Sequence, residues 1–466
     1  MEKPNILLVT FPSQGHINPG LQFAKRLTRL GVKVTFATSI SAHRRMTKNA
    51  PTTESLISYA PFSDGYDEGF KSGIDDLGHF MTSMTHFGSQ NLKAIILEKI
   101  NQGSPFTSIV YSILIPWVGK LAREFRIPAT HLWNQPATLF DIYYDYFRGY
   151  GDIITDHISD PSYVVNLPHL PPLATRDLPS FFSPSNQYSF ALTFFKEQFD
   201  ILDEETNPKV LVNTFDALEA EALSAVGKYN LVGVGPLIPS AFLDGKDPSD
   251  TSFGGDLFKG SKDYIEWLNT KPEASVIYVS FGSISVLSRT QMEEMARALL
   301  DTGRPFLWVI REGGVEGQEK EKDKLSCKEE LEKQGMIVPW CTQVEVLSHP
   351  SVGCFVTHCG WNSTSESLAS GVPVVACPQW TDQTTNAKLI ADVWKTGVRL
   401  IRNEEGIAKA PEMKRCLEVA MESEELRRNA KKWKDLAREA AKEGGSSHKN
   451  IKEFVDEVNG KVDLHQ

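Results

Sequence analysis

Residues Trp340 to Gln383 read WCTQVEVLSHPSVGCFVTHCGWNSTSESLASGVPVVACPQWTDQ. An apolar run, Gly353 to Val356, enters the polar turn Thr357-His358-Cys359-Gly360-Trp361-Asn362-Ser363. A short helix is expected over Thr364–Ser370, and a second strand over Val372–Ala376. A turn of Gly, Asn and Ser at the mouth of a helix is a ready anion site, because free backbone N–H groups and the positive end of the helix dipole meet there. His358 and the hydroxyls can add donors to a phosphate oxygen. Glu366, one turn on, suits a sugar diol, and the ring of Trp340 suits the face of a nucleobase. Asp382 and Gln383 close the stretch with a carboxylate and an amide, a pair suited to sugar hydroxyls.

Outward from this stretch the same strand and helix pattern continues. Ser275–Ser280, Pro305–Ile310 and Met336–Val338 read as strands and Thr290–Asp301 as a helix, which makes the second half a doubly wound α/β domain. The first half repeats the pattern. Asn5 to Thr10 is a near-continuous apolar run, as a strand buried on both faces should be. Turn residues from Pro12 to Pro19 predict a loop, and Leu21, Ala24, Leu27 and Leu30 then recur at helical spacing. Gly31 ends that helix and Val32–Ala37 is the next strand, so Gln14-Gly15-His16 falls at the carboxyl edge of a parallel sheet, where such sheets bind ligands. The expected domains are residues 1–233, a Gly-, Pro- and Ser-rich linker over 234–261, a second domain over 262–445 and a closing helix over 446–466 built on Ile451, Phe454, Val455 and Val458. The Glu- and Lys-rich run from Glu312 to Gln334 is read as a solvated loop and helix.

Composition excludes several function classes. The chain has 466 residues and a formal net charge of −10, which argues against a nucleic-acid binder. The cysteines lie at 327, 341, 354, 359, 377 and 416, so no disulfide framework spans the protein, and Cys354, His358 and Cys359 fit no common zinc spacing. Free thiols in a reducing cytoplasm are expected. Residues 1–11 open a strand rather than a signal peptide, and no run would cross a bilayer. Asn362-Ser363-Thr364 matches an N-glycosylation pattern but falls inside the anion turn. No G-x-G-x-x-G opens either half, which removes a dinucleotide-binding dehydrogenase.

The stretch from Trp340 to Gln383, 44 residues long, resembles the 44-residue signature of plant family 1 UDP-glycosyltransferases. Gln14-Gly15-His16-Ile17-Asn18-Pro19 and Phe281-Gly282-Ser283 extend the resemblance almost end to end, and it is nearest the branch of anthocyanin 5-O-glucosyltransferases and crocetin glucosyltransferases. The resemblance implies an α/β GT-B fold of two doubly wound Rossmann-like domains facing a central cleft. It implies that UDP is bound by Trp340 (uracil stacking), Cys341 through its backbone, Gln343, Glu366 (ribose) and a pyrophosphate cradle of His358, Gly360, Trp361, Asn362, Ser363 and Ser283. It implies that the sugar is met by Asp382, Gln383, Trp133 and Asn134, with the terminal Gln associated with glucose. No cofactor and no metal is implied, because N–H dipoles and His358 can stabilise a departing diphosphate. The partners implied are UDP-glucose and a small-molecule acceptor, bound by a cytoplasmic monomer.

His16 resembles the family's catalytic base, and a histidine can take a proton near neutral pH. One in-line displacement would invert the anomeric centre. The usual carboxylate partner is missing: in Ile109-Val110-Tyr111-Ser112-Ile113-Leu114-Ile115-Pro116-Trp117, Ser112 stands where the family carries Asp. A serine can hydrogen-bond His16 but cannot offset imidazolium charge, which tilts the expectation toward acceptors that are already ionised, or acidic phenols. Phe11, Trp117, Phe140, Tyr144 and Phe181 make the first half aromatic and are the expected acceptor pocket. The leading reading is a UDP-glucose-dependent O-glucosyltransferase acting on a flavonoid, anthocyanidin or other phenol, or on an apocarotenoid or aromatic acid. The alternatives are a dedicated glucose-ester former and a UDP-sugar-binding protein with impaired catalysis.

Overall fold

A computed structural model of the protein describes residues 3–49, 57–71, 73–184, 186, 188–254, 263–311 and 325–463. Residues 255–261 of the expected linker and 312–324 of the charged run lie outside the described residues. The chain divides into two compact units, Met1–Leu257 with Glu439–Gln466, and Phe258–Arg438.

Unit 1 is built on a seven-stranded sheet. Its strands are β1 (Asn5–Val9), β2 (Lys33–Ala37), β3 (Ile57–Tyr59), β4 (Ser108–Ser112), β5 (Ala129–Trp133), β6 (Lys209–Val212) and β7 (Asn230–Gly233). They lie in the order β3-β2-β1-β4-β5-β6-β7, all parallel. The chain winds outward from β1 to β3, then returns to place β4 on the other side of β1, so the strand order reverses between β1 and β4. That reversal opens a crevice at the carboxyl ends, because the connections that follow the two strands leave on opposite faces. Ile6, Leu7, Leu8 and Val9 are all fully buried, as the apolar run required.

The helices that position the site are α1 (Gln14–Arg29), α2 (Ile40–Asn49), α3 (Leu77–Asn101), α4 (Trp117–Glu124) and α5 (Ala137–Asp145). α1 begins earlier than the sequence pattern suggested: Gln14 to Pro19 forms its first turns rather than a loop. Polar residues and a proline look like a loop, yet a first turn needs no N–H partners, and Pro19, inside the helix, costs it only the bond to Gly15 O. The segment after Val234, expected to begin the linker, is held within unit 1: Arg26 donates to the carbonyls of Val234 (2.9 Å) and Pro236 (2.5 Å), and Lys25 pairs with Asp250 at 2.5 Å.

Unit 2 carries six parallel strands: β8 (Val276–Ser280), β9 (Phe306–Val309), β10 (Met336–Val338), β11 (Val352–Thr357), β12 (Val374–Ala376) and β13 (Gly397–Arg399). Their order is β10-β9-β8-β11-β12-β13, reversing between β8 and β11. α6 (Arg289–Thr302) follows β8, and α7 (Trp361–Ser370) follows β11. α7 also starts earlier than expected, with Gly360 as its N-cap, so Asn362 and Ser363 are helical. The closing helix α8 (Ser446–Asp463) belongs to unit 1, where Ile451, Phe454, Val455 and Val458 join the core of Ile17, Leu21 and Phe23.

Candidate active site

In unit 1 the reversal between β1 and β4 places the ends of those strands side by side, with Val9 paired to Tyr111. The next residues on each strand turn toward the same crevice. Ser112 Oγ accepts from the Phe11 N–H at 3.0 Å and lies 3.2 Å from His16 Nδ1, while its own hydroxyl reaches Ile113 O at 3.4 Å. One hydroxyl has one proton and two lone pairs. All three contacts are satisfied when Nδ1 carries the histidine proton and donates to Ser112, which leaves Nε2 as the bare, accepting nitrogen. Ser112 therefore sets the tautomer a base requires without adding charge. Burial lowers the pKa of the half-buried His16 ring to about 3, so the imidazole is neutral throughout the physiological range.

The first turn of α1 has a further support. Pro19 lies inside the helix and lacks the N–H that would bond the carbonyl of Gly15. Asn134 Nδ2, from the end of β5, donates to that carbonyl at 3.1 Å. Its amide nitrogen is thus committed to holding the backbone beside His16, while Asn134 Oδ1 is buried with no partner among the described residues.

Most of the expected aromatic residues belong to the core instead. Trp133 is 1% exposed, donates its indole N–H to Pro136 O at 3.0 Å and packs among Phe140, Tyr143 and Phe195, so its side chain is committed to the core. Phe140 and Phe181 lie in the same cluster, Trp117 is buried edge-on against Phe62, and Tyr144 packs on Phe199, Tyr229 and Arg148. Of the five, Phe11 alone is placed beside His16, with ring centroids 5.1 Å apart.

Unit 2 holds the second constellation. β8 pairs with β11 so that Ser280 and Thr357 are partners, and Gly282, Ser283 and His358 follow at once. The His358 ring fits a slot made by two glycines: a Cβ on Gly282 would come within 2.7 Å of it and one on Gly360 within 2.6 Å. Gly282 also needs its positive φ of 72°, which a side chain disfavours. Burial first, and the nearby Arg311 charge second, lower the His358 pKa to about 4, so it too is neutral and can donate one N–H. The N–H groups of the first turn of α7 lie just beyond, in Trp361, Asn362 and Ser363. Trp361 itself is buried with its ring against Trp394, so only its backbone is suited to an anion.

Gln343 ties the next residues together. Its Nε2 donates to Ser363 Oγ at 2.8 Å and to Glu366 Oε2 at 3.0 Å, and its Oε1 receives the Tyr278 hydroxyl at 3.4 Å. The half-buried Trp340 and the buried Cys341, whose Sγ lies 3.3 Å from the Tyr278 hydroxyl, immediately precede it. Asp382 accepts from Thr381 Oγ1 and from Asn386 Nδ2, both at 2.8 Å, and burial raises its pKa. Gln383 Oε1 accepts from the N–H groups of Gln379 (2.9 Å) and Trp380 (3.1 Å), which makes its Nε2 the donor end.

Three residues of this half were not found from sequence. Asn386 Nδ2 also donates to Cys359 O at 2.9 Å, joining the Asp382 carboxylate to the His358 turn. Tyr278 looked like any buried strand residue. Arg311 donates to the carbonyls of Ser283 and, at 2.6 Å, Ser285, bracing the loop beside His358. Each acts across tens of residues of sequence, and only the folded sheet shows the pairing. No group of three or more His, Cys, Asp or Glu suited to a metal ion occurs among the described residues.

Comparison with known proteins bears on this geometry. Residues 257–439 match the family model of UDP-glucoronosyl and UDP-glucosyl transferase. The chain is 60% identical to phloretin 4'-O-glucosyltransferase of Malus domestica, covering 98% of each chain. It is 58% identical to the chloroplastic crocetin glucosyltransferase of Gardenia jasminoides, again over 98% of each. Among solved structures it is similar to Os79 from O. sativa in complex with UDP, with TM-score 0.85 and 32% identity over 97% of this chain and 100% of that one.

Two expectations follow. Asn134→Ala removes the donor that stands in for the missing Pro19 N–H; a single hydrogen bond contributes about 0.5–1.5 kcal/mol, and turnover should fall several-fold. In a Pro19→Ala background the restored N–H should recover most of that loss, so a double-mutant cycle in kcat and in unfolding free energy checks the coupling. Independent, additive effects would show that Asn134 does not support α1 in this way. Arg311→Gln should weaken UDP binding about tenfold and uridine binding much less, as read by calorimetry; equal losses for both would mean that Arg311 only maintains the fold.

Proposed function

The chain belongs to the UDP-glycosyltransferase family, with the GT-B fold of two Rossmann-like units, and from that premise we propose that it transfers glucose from UDP-glucose to an oxygen of a small plant acceptor with inversion at the anomeric carbon. The acceptor is a flavonoid, anthocyanidin or other phenol, or a carboxylic acid such as an apocarotenoid or aromatic acid. One observation supports the donor assignment: Ser283 and His358 follow paired strand ends at the unit 2 switch point, and Gln343 joins Ser363 of the α7 N-terminus to Glu366, so donors suited to a diphosphate and acceptors suited to a nucleoside lie together. Trp340 stacks on the uracil, Glu366 accepts from the ribose diol, and the cradle of Ser283, His358, Gly360, Trp361, Asn362 and Ser363 takes the phosphates. Asp382 and the Gln383 amide receive the glucose hydroxyls.

The chemistry follows from the protonation states. His16 Nε2 takes the proton of the acceptor hydroxyl while that oxygen attacks the anomeric carbon. The bond to UDP breaks, and its electron pair passes to the β-phosphate oxygen, where the His358 N–H and the helix dipole offset the charge. The step uses no metal ion. The protein acts as a cytoplasmic monomer in this reading; none of its described helices is long and apolar enough to cross a membrane. Ser112 favours a second reading, dedicated glucose-ester formation, because an ionised carboxylate needs positioning more than deprotonation.

His16→Ala should lower transfer about 10²–10⁴-fold while UDP affinity stays within about twofold of the parent by the same criterion. Product formation can be followed by mass spectrometry against a mixed panel of phenols and acids, with mild alkali separating esters from glycosides. Undiminished transfer would remove His16 from the mechanism, and absence of transfer to any acceptor despite UDP binding would favour a binding protein with impaired catalysis. The low His16 pKa also predicts a pH profile. With a phenol acceptor, kcat/KM should show no acid limb from His16 between pH about 5 and 8. Ser112→Asp places a carboxylate beside the ring, stabilises the imidazolium and should bring an acid limb up into that window; a wild-type limb near about 6.5 would show that burial does not control this group.

A further inference from the structure

A continuous run of aromatic rings leads away from His16, into the segment between β3 and α3 and the first turn of α3. Phe11, against His16, meets Phe80 edge-on with centroids 6.2 Å apart and planes at 85°. Phe80 in turn touches Phe70 at 5.0 Å and Tyr66 at 5.3 Å, and Tyr66 and Phe70 lie 6.1 Å apart. Phe80 is buried, whereas Phe11, Phe70 and Tyr66 are half-buried and so keep part of their surface open. The rings are held by local hydrogen bonds. Asp64 accepts from the Tyr66 N–H at 2.9 Å, Asp75 from the Lys71 N–H at 2.7 Å, and Asp76 caps α3 through the His79 N–H at 2.7 Å. The Tyr66 hydroxyl is 2.7 Å from His79 Nδ1.

The same segment is acidic. Between Phe62 and Phe80 lie Asp64, Asp67, Glu68, Asp75 and Asp76, against Lys71 alone. From α2, Arg44 pairs with Glu68 at 2.9 Å and Arg45 faces Asp64, so five carboxylates meet three cations. Asp67 Oδ1 is shielded from water and accepts no hydrogen bond from the described residues. Such an oxygen is satisfied by an O–H donor, and it repels a second carboxylate. The Tyr66 phenol is pushed up by desolvation first and then by Asp75, Asp76 and Asp64, which reports the negative potential along the wall.

We propose that Phe11, Phe80, Phe70 and Tyr66 form the acceptor wall of unit 1, and that its carboxylate rim selects flat aromatic acceptors that are neutral or cationic against acceptors that bear a carboxylate. The proposal rests on the glucosyl-transfer reading above and narrows its acceptor. Ring faces supply stacking surface that is indifferent to the substitution of a planar ligand. The rim supplies sign: an incoming anion is repelled over about a Debye length, roughly 10 Å at 0.1 M salt, whereas a neutral phenol is not.

The test compares two acceptors with the same phenol, 4-hydroxycinnamyl alcohol and 4-hydroxycinnamate, with UDP-glucose and the full-length protein. The ratio of kcat/KM, alcohol over acid, should be about tenfold or more at low salt and should shrink in about 0.5 M NaCl. Glu68→Gln with Asp75→Asn should lower the low-salt ratio several-fold, with an unchanged melting temperature to show that the loop is intact. Phe70→Leu should raise KM for both acceptors and leave the ratio unchanged. A wild-type ratio near one or below, or a ratio insensitive to both salt and the charge variants, overturns the proposal and leaves glucosyl transfer standing. Transfer to neither acceptor nor to any of the wider panel, with UDP still bound, overturns glucosyl transfer itself.

Discussion

The residue constellations of unit 1 and of unit 2 each depend on one topological constraint, the single reversal of strand order in its parallel sheet. A parallel strand satisfies its backbone groups along its length and loses them where it runs out into a helix. At the reversal two such ends lie side by side, β1 with β4 in unit 1 and β8 with β11 in unit 2. Unsatisfied N–H groups, helix dipoles and short polar side chains therefore collect at those points. His16 and Ser112 come from the two strand ends of one reversal, and Ser283 and His358 from the two ends of the other. Side chains far apart in sequence, 96 residues in the case of His16 and Ser112, meet because β1 and β4 end side by side.

The same constraint explains where backbone strain sits. Cys359 and Thr381 adopt left-handed φ values of 65° and 61°, although neither is glycine. Such residues cost of order 1 kcal/mol or more and persist where the surroundings over-determine them. Here Asn386 does so: it bonds the Cys359 carbonyl and the Asp382 carboxylate together. The turn after β11 and the turn before Gln383–Lys388 are thereby tied to each other, and the proposed phosphate cradle is joined to the Asp382 carboxylate. Preorganised dipoles of this kind stabilise developing charge without reorganising when the bond breaks.

How much of this was legible in the sequence follows from how each interaction is encoded. The strands were legible, because a sheet buried on both faces demands apolar runs such as Ile6 to Val9 and Val352 to Val356. The grouping of Gln343, Ser363 and Glu366 was legible because all three lie in one stretch from Trp340 to Gln383, close enough in sequence to be read together. Helix starts at Gln14 and Trp361 were misplaced, since the polar residues of a functional first turn imitate a loop. Aromatic residues were misassigned for a different reason: a ring is equally suited to a core and to a pocket, and Trp133, Phe140 and Phe181 went to the core. Tyr66 and Phe70 were passed over because Gly65, Gly69 and Gly73 break their periodicity, and a loop's rings are aligned only by the tertiary fold.

The two departures in unit 1 are best understood together. Ser112 gives His16 the tautomer with a bare Nε2 and no charge compensation, so in the proposed transfer an imidazolium would be supported only by what lies around it. Such a base works best on an acceptor whose own acidity carries part of the step. A carboxylic acid would meet that need fully, yet the acidic rim around Tyr66 and Phe70 opposes a carboxylate on electrostatic grounds. An aliphatic alcohol passes the rim but is far too weak an acid. Conjugated phenols satisfy both conditions at once: delocalisation lowers the pKa of the attacking hydroxyl below the value of about 10 for tyrosine, and the remaining ring surface is flat and uncharged. In the proposed reaction the missing aspartate and the carboxylate rim would thus act on opposite ends of one acidity scale, and their overlap would define the acceptor more narrowly than either feature alone.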